Sequence, residues 1–189
     1  MISLLLLHGA LGDRAQLSPL ARLLAEWYDV HAIELEGHGT TPIPGDAYDL
    51  ARFRDNVRHA MAERGMERAA IFGYSMGGYV ALSLAAESPD LVSAIVTLGT
   101  KLAWSPEAAA RETSRLDPVA IRAKVPKFAD LLERRHAGAG GWELALARGD
   151  VAVVPATPHP FEQVRVPLVA ALTRDFLDVA LSTQTSKPA

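Results

Sequence analysis

The hexapeptide Gly73-Tyr74-Ser75-Met76-Gly77-Gly78 follows directly on the apolar run Ala69-Ala70-Ile71-Phe72 and opens the helical pattern Gly78–Ala86. A Gly-x-Ser-x-Gly between a buried strand and an amphipathic helix dictates a tight, strained turn, with the serine hydroxyl raised above a sheet. The flanking glycines let strand and helix approach without a Cβ clash, and the following backbone N–H is free to hold an oxyanion. Glycine and serine are common, so the motif alone is weak; the strand before it and the helix after it make it specific. Ser75 is therefore expected on a nucleophile elbow rather than in an ordinary glycine-rich turn.

The rest of the chain supplies the layers such an elbow needs. Expected strands are Ser3–Leu7, Val30–Leu35, Ala69–Tyr74, Val92–Leu98 and Val151–Pro155. Helical patterns fall at Arg14–Trp27, Tyr48–Arg64, Met76–Glu87, Pro106–His136 (broken at Pro118 and Pro126) and Val166–Leu181. Unbroken apolar strands separated by helices predict an α/β fold, a mostly parallel sheet of about five strands with helices on both faces. Ligands bind such sheets beyond the carboxyl ends of the strands. His8-Gly9, Gly37-His38-Gly39, Ser75 and Thr100 all follow strands, so they share that rim. There is no internal repeat. Ala137–Gly141 reads as a flexible linker by composition, and the polar Ser182–Ala189 as a fraying end.

At 189 residues, 49% of them apolar, the chain is expected to form a single domain (1–189) with a sizeable core. A net charge of −3 gives no electrostatic footprint for nucleic acid or a membrane surface. With no cysteine there is no disulfide framework and no thiolate nucleophile or zinc ligand. Met1–Leu7 is short, lacks a basic flank and runs into His8-Gly9, so it reads as a core strand rather than a leader. No window reaches transmembrane length, and a soluble, cytoplasmic protein is expected. His8 and His38, each beside glycine, are expected to shape loops rather than to bind metal. His59 and Glu63 read as a surface pair, and Glu34 and Glu36 as the end of a strand and the start of a loop. Arg134-Arg135-His136 complements a helix end. Neither phosphate-loop nor dinucleotide fingerprint is present, so no nucleotide, metal or other cofactor is implied.

With these residues placed, the chain resembles the α/β-hydrolase superfamily along nearly its whole length. The matching segments come in order: Leu7-His8-Gly9-Ala10, Glu36-Gly37-His38-Gly39-Thr40, the elbow, and Val153-Val154-Pro155-Ala156-Thr157-Pro158-His159-Pro160. The helix ending Arg174-Asp175-Phe176-Leu177 is similar to the family's closing helix. The resemblance implies Ser75 as nucleophile, His159 as general base, and the backbone N–H groups of Ala10 and Met76 as oxyanion hole. It also implies a small helical cap at 104–136, with linker 137–141 behind it, whose apolar side chains line an acyl pocket.

The third catalytic residue is where the sequence departs from the family. Members usually carry a further strand and helix before the histidine segment, with an Asp after that strand. Such a unit needs roughly 25 residues, and only Trp142–Asp150 lies between the linker and Val151. Asp150 is disfavoured whether Glu143–Arg148 is a strand or Trp142–Arg148 a helix, since no crossover to Val151 remains and the final strand would hold it apart from His159. Asp13, Glu34, Glu36, Glu107 and Asp117 also lie near the rim, and the acid is left unassigned. Loss of an interior strand also exposes apolar surface, which favours self-association.

Two readings follow. One is a cofactor-free serine hydrolase acting on a small ester, thioester or related acyl compound, without nucleic-acid or membrane partners. The other is a non-catalytic or impaired binding protein of the same fold that lacks the triad acid. The same residues also serve lyase or perhydrolase chemistry, which fold-level likeness does not separate.

Overall fold

A computed structural model describes residues 1–43, 49–103, 105–148 and 166–182. Four strands form one sheet: β1 (Ile2–Leu7), β2 (Tyr28–Ile33), β3 (Ala69–Tyr74) and β4 (Val92–Leu98). All pairings are parallel, in the order β2-β1-β3-β4. The chain builds outward from β1 to β2, then returns to the other side of β1 for β3. The strand order therefore reverses between β1 and β3, and their carboxyl ends flank the crevice where such sheets place ligands. The fifth expected strand, Val151–Pro155, lies outside the described residues, as do Asp150 and His159.

The unbroken leucines of β1 explain the two-faced core. Leu5 and Leu7 pack on one side with Phe53, Val57, Met61, Val80 and Leu84, from α2 (Leu50–Glu63) and α3 (Met76–Glu87). Leu4 and Leu6 pack on the other with Leu20 and Leu24 of α1 (Ser18–Leu24) and with residues of the chain's closing helix, Val166–Ser182. Alternate residues of a strand face opposite ways, so only a continuous apolar run can serve both layers.

Boundaries moved where polar side chains competed with the ladder. β2 ends at Ile33 rather than Leu35, because the Leu35 N–H donates to His8 Nε2 and the Glu34 carboxylate turns to the Arg14 N–H. The Arg14–Trp27 pattern divides into a 3-10 turn, Arg14–Leu17, and α1, with Pro19 in the first turn of α1. A proline is tolerated there because the first-turn N–H groups have no intrahelical acceptor. Asp49 caps α2 by accepting from the Arg52 N–H.

The segment expected as a helical cap breaks at its prolines as expected. It comprises α4 (Pro106–Thr113), α5 (Pro118–Lys124) and α6 (Pro126–Arg135), with Asp117 capping α5. Two expectations need correction. Ala137–Gly141 is a packed turn rather than a loose linker: Ala139 is buried, and its carbonyl accepts from the Ile43 N–H. Gly140 and Gly141 take the positive φ values that the turn demands. The alternative of a strand at Glu143–Arg148 is excluded, since Trp142–Arg148 is α7. The fully buried Trp142 joins Leu116, Ile121, Leu132 and Leu11 in a core of its own, so Leu116 and Leu132 pack inward instead of lining a pocket. The closing helix, Val166–Ser182, is α8.

Candidate active site

Ser75 is the single residue between β3 and α3, and its backbone sits at φ 51°, ψ −113°. For a residue with a Cβ that conformation costs about 1–3 kcal/mol and persists only where the surroundings impose it. Here they do. The Ser75 N–H donates to the Leu98 carbonyl at 2.8 Å, and the Ser75 carbonyl accepts from Thr100 Oγ1 at 2.9 Å and from the Gly78 N–H at 3.1 Å. A Cβ on Gly73 would come under 3.0 Å from the backbone of Gly77 and Gly78. One on Gly77 would come equally close to the carbonyl oxygens of Leu7 and His8. These two glycines are thus needed for close approach between β3, α3 and the end of β1, and Gly78, where a Cβ would meet the Thr100 side chain, for approach of α3 to the loop after β4. The Ser75 side chain does not cap α3, which leaves its hydroxyl available for other work.

Met76 opens α3, so its N–H has no intrahelical acceptor and lies at the positive end of the helix dipole. Ala10 lies in the turn after β1. The Gly12 N–H closes that turn on the Gly9 carbonyl at 3.0 Å, and Leu11 adopts a left-handed φ of 54°. The Gly9 carbonyl is also hydrogen-bonded by His8 Nδ1 at 2.8 Å. In a trans peptide the N–H points opposite to the C=O, so these two donors also fix the direction of the Ala10 N–H. The turn lies directly against the elbow: a Cβ on Gly9 would sit 3.1 Å from Ser75 Cβ. The structure therefore brings together Ser75, Met76 and the turn that carries Ala10. His159, the expected base, falls outside the described residues.

Beneath this rim lies a cluster that sequence reasoning only half anticipated. His8 and His38 do shape loops, but they stack with centroids 4.9 Å apart, and His38 contacts His136 of the α6 end at 5.7 Å. All three are buried. Partners fix each tautomer: Nε2 of His8 accepts from the Leu35 N–H, and Nδ1 of His38 donates to the Glu36 carbonyl. Nδ1 of His136 accepts from the Gly39 N–H at 3.1 Å, while its Nε2 donates to the Leu11 carbonyl at 3.1 Å. Burial pushes His8 down to about 4 and holds His38 well below its ordinary value, with His136 lowered for the same reason. The cluster is neutral at pH 7. His136 joins residues 97 or more positions apart, so no local spacing announces it.

Most of the rim carboxylates are committed locally. Asp13 closes a capping box with Gln16 and faces Arg135 at 3.8 Å. Glu34 accepts from the N–H groups of Arg14 and Thr40, and Glu36 pairs with Arg52 at 2.8 Å. Asp117 caps α5, and Glu107 is exposed in the first turn of α4. Among the described residues no group of three or more His, Asp or Glu side chains forms a metal site. No described helix is long and apolar enough to cross a membrane.

The parallel sheet with its reversal of strand order agrees with comparison to known proteins. A family model of the alpha/beta hydrolase fold matches residues 2–153. The chain belongs to that family. It is 32% identical over 104 residues to a pimeloyl-[acyl-carrier protein] methyl ester esterase of Aliivibrio salmonicida, a match covering 55% of this chain and 38% of that protein. The matches span only 25–38% of the length of the curated relatives. Among solved alpha/beta folds, NosK from Streptomyces actuosus superposes with a TM-score of 0.73 at 21% identity, over 95% of this chain and 98% of its own. A structure from work on carboxylesterases of Nitrososphaera gargenis superposes at 0.63 and 18% identity, over 82% of this chain and 65% of that one. Near-complete coverage in both directions shows that a chain of similar length shares the NosK fold.

Proposed function

We propose that the protein is a serine hydrolase of a small ester, thioester or related acyl compound. The observation that carries this reading is the backbone of Ser75, held at φ 51° between β3 and α3. Strain of that kind is retained where exposing a hydroxyl above the sheet has a use. The esterase name of the Aliivibrio relative supports an ester as the substrate class.

The proposed cycle starts with attack of Ser75 Oγ on the substrate carbonyl carbon while His159 takes the hydroxyl proton. The oxyanion is held by the N–H groups of Ala10 and Met76, each worth a factor of about 10²–10³ in rate. Collapse returns the proton from His159 to the departing alcohol or thiol, leaving an acyl group on Ser75. Water, deprotonated by His159, then releases the acid.

One observation favours the second reading, a binding protein without turnover: Asp13, Glu34, Glu36 and Asp117 are all held in caps and loop contacts. Hydrolysis of p-nitrophenyl acetate and butyrate decides between the two. The hydrolase reading expects turnover that drops at least about 10³-fold in Ser75→Ala and in His159→Ala. Folded wild-type protein without turnover would leave the binding reading standing, and turnover unchanged in Ser75→Ala would reject the serine mechanism.

A further inference from the structure

We infer that Arg135 and His136, at the carboxyl end of α6, position the turn that supplies the oxyanion-hole donor Ala10. The inference rests on the hydrolase reading above and adds to it a residue pair from the cap.

The geometry is specific to one atom. The Leu11 carbonyl oxygen accepts from Arg135 at 2.9 Å and from His136 Nε2 at 3.1 Å. Both donors come from a segment 124 and 125 positions away in sequence. Leu11 needs them. Its left-handed φ of 54° is unfavourable for a side chain branched at Cγ, and nothing within the four-residue turn compensates except the Gly12–Gly9 hydrogen bond. Two donors on its carbonyl fix the Leu11–Gly12 peptide plane. The Gly12 N–H of that plane is the group that bonds the Gly9 carbonyl, and the Gly9–Ala10 plane carries the Ala10 N–H. Orientation thus passes in two steps from the cap to the proposed oxyanion donor.

The rest of the segment holds the donors themselves in place. Arg135 is almost wholly buried at its side chain and faces Asp13, which caps the 3-10 turn just after Gly12. His136 is fixed on its other nitrogen by the Gly39 N–H, and its ring packs on His38. The Leu11 side chain inserts into the cap core beside Leu132 and Trp142. The turn is therefore gripped by backbone and side chain together. The carboxyl end of α6 is thereby a structural part of the proposed active site.

Arg135 and His136 are positioning residues, so their loss falls on kcat and not on substrate affinity. In p-nitrophenyl butyrate kinetics, Arg135→Ala and Arg135→Met are expected to lower kcat on the order of 10–100-fold with KM changed less than about threefold. The methionine variant keeps the aliphatic packing of the stem, and so answers the question if the alanine variant fails to fold. His136→Gln offers an amide donor and acceptor in place of the two imidazole nitrogens and is expected to retain activity that His136→Ala loses. Lys127→Ala removes an exposed positive charge from the same helix and is expected to stay within about twofold of wild type. A folded Arg135→Met with unchanged kcat would overturn the inference while leaving the hydrolase reading intact. So would a loss confined to KM. A folded wild type with no turnover, and no labelling of Ser75 by a fluorophosphonate, would overturn both.

Discussion

The two halves of the rim solve the same problem, close approach of chain to chain, by opposite means. At the elbow, β3, α3 and the end of β1 meet because Gly73 and Gly77 present no side chains at all, and Gly78 does the same where α3 meets Thr100 after β4. At the cap side, three loops meet over buried imidazoles: His8, His38 and His136 fill the space and hydrogen-bond to backbone groups that line it. The first device carries no charge and is indifferent to pH. The second depends on the rings staying neutral, so it couples the integrity of the rim to protons.

Acid should therefore break the histidine side before the glycine side. His8 takes up a proton only near pH 4 in the folded protein but near its ordinary value of 6.5 when unfolded. Between those values unfolding binds protons, so stability falls as pH falls. The contribution is fully present above about pH 6.5 and is lost toward pH 4. For His8 alone it amounts to about 3 kcal/mol, and His38, shifted in the same direction, adds to it. Asp13, Arg135 and His136 also act electrostatically on His8. Urea midpoints measured from pH 7 to 4.5 should show this slope, and His8→Gln should flatten it. An equal slope in both proteins would mean that carboxylates, not the cluster, set the acid limit.

Gly77→Ala probes the other half. Alanine favours a helix interior over glycine by about 1 kcal/mol, so the substitution would stabilise an isolated α3. In the folded protein its Cβ meets two carbonyl oxygens of β1 and the loop after it, which are backbone and cannot swing aside. Overpacking of this kind costs about 1–3 kcal/mol, occasionally more. We expect a net loss of about 2 kcal/mol in the urea midpoint at pH 7, with the pH slope unchanged. A stabilised variant would show that β1 and α3 can separate, and the contrast drawn between the two halves would fail.

The contrast also accounts for what could be read from sequence. The elbow lies within six consecutive residues, with its strand and helix adjacent, so Ser75 and the bounds of β3, α3 and β4 were legible from pattern alone. Local punctuation worked equally well at Pro118 and Pro126. The histidine cluster was not legible, because His136 meets Gly39 and Leu11 only through tertiary packing. Composition misled at Ala137–Gly141, where alanine and glycine suggested flexibility. The same small residues are what let the turn pack against Ile43 and Thr40. Leu116 and Leu132 looked like pocket lining because sequence shows hydrophobicity but not what it faces.

The smallest expected effect marks where neither device operates. His59 and Glu63 stand four apart on α2, 3.1 Å from each other, with both side chains more than half exposed. Such a pair is screened by solvent and costs side-chain entropy to hold, so i,i+4 pairs contribute only about 0.3–0.5 kcal/mol. His59→Ala should shift the urea midpoint by less than about 0.5 kcal/mol, with activity unchanged and the acid slope that of wild type. The comparison with His8→Gln is then direct, one histidine removed in each. A matching change in pH slope from His59→Ala would mean that surface imidazoles carry the acid sensitivity. An unaltered slope leaves it to the ring that is buried against the Gly9 carbonyl.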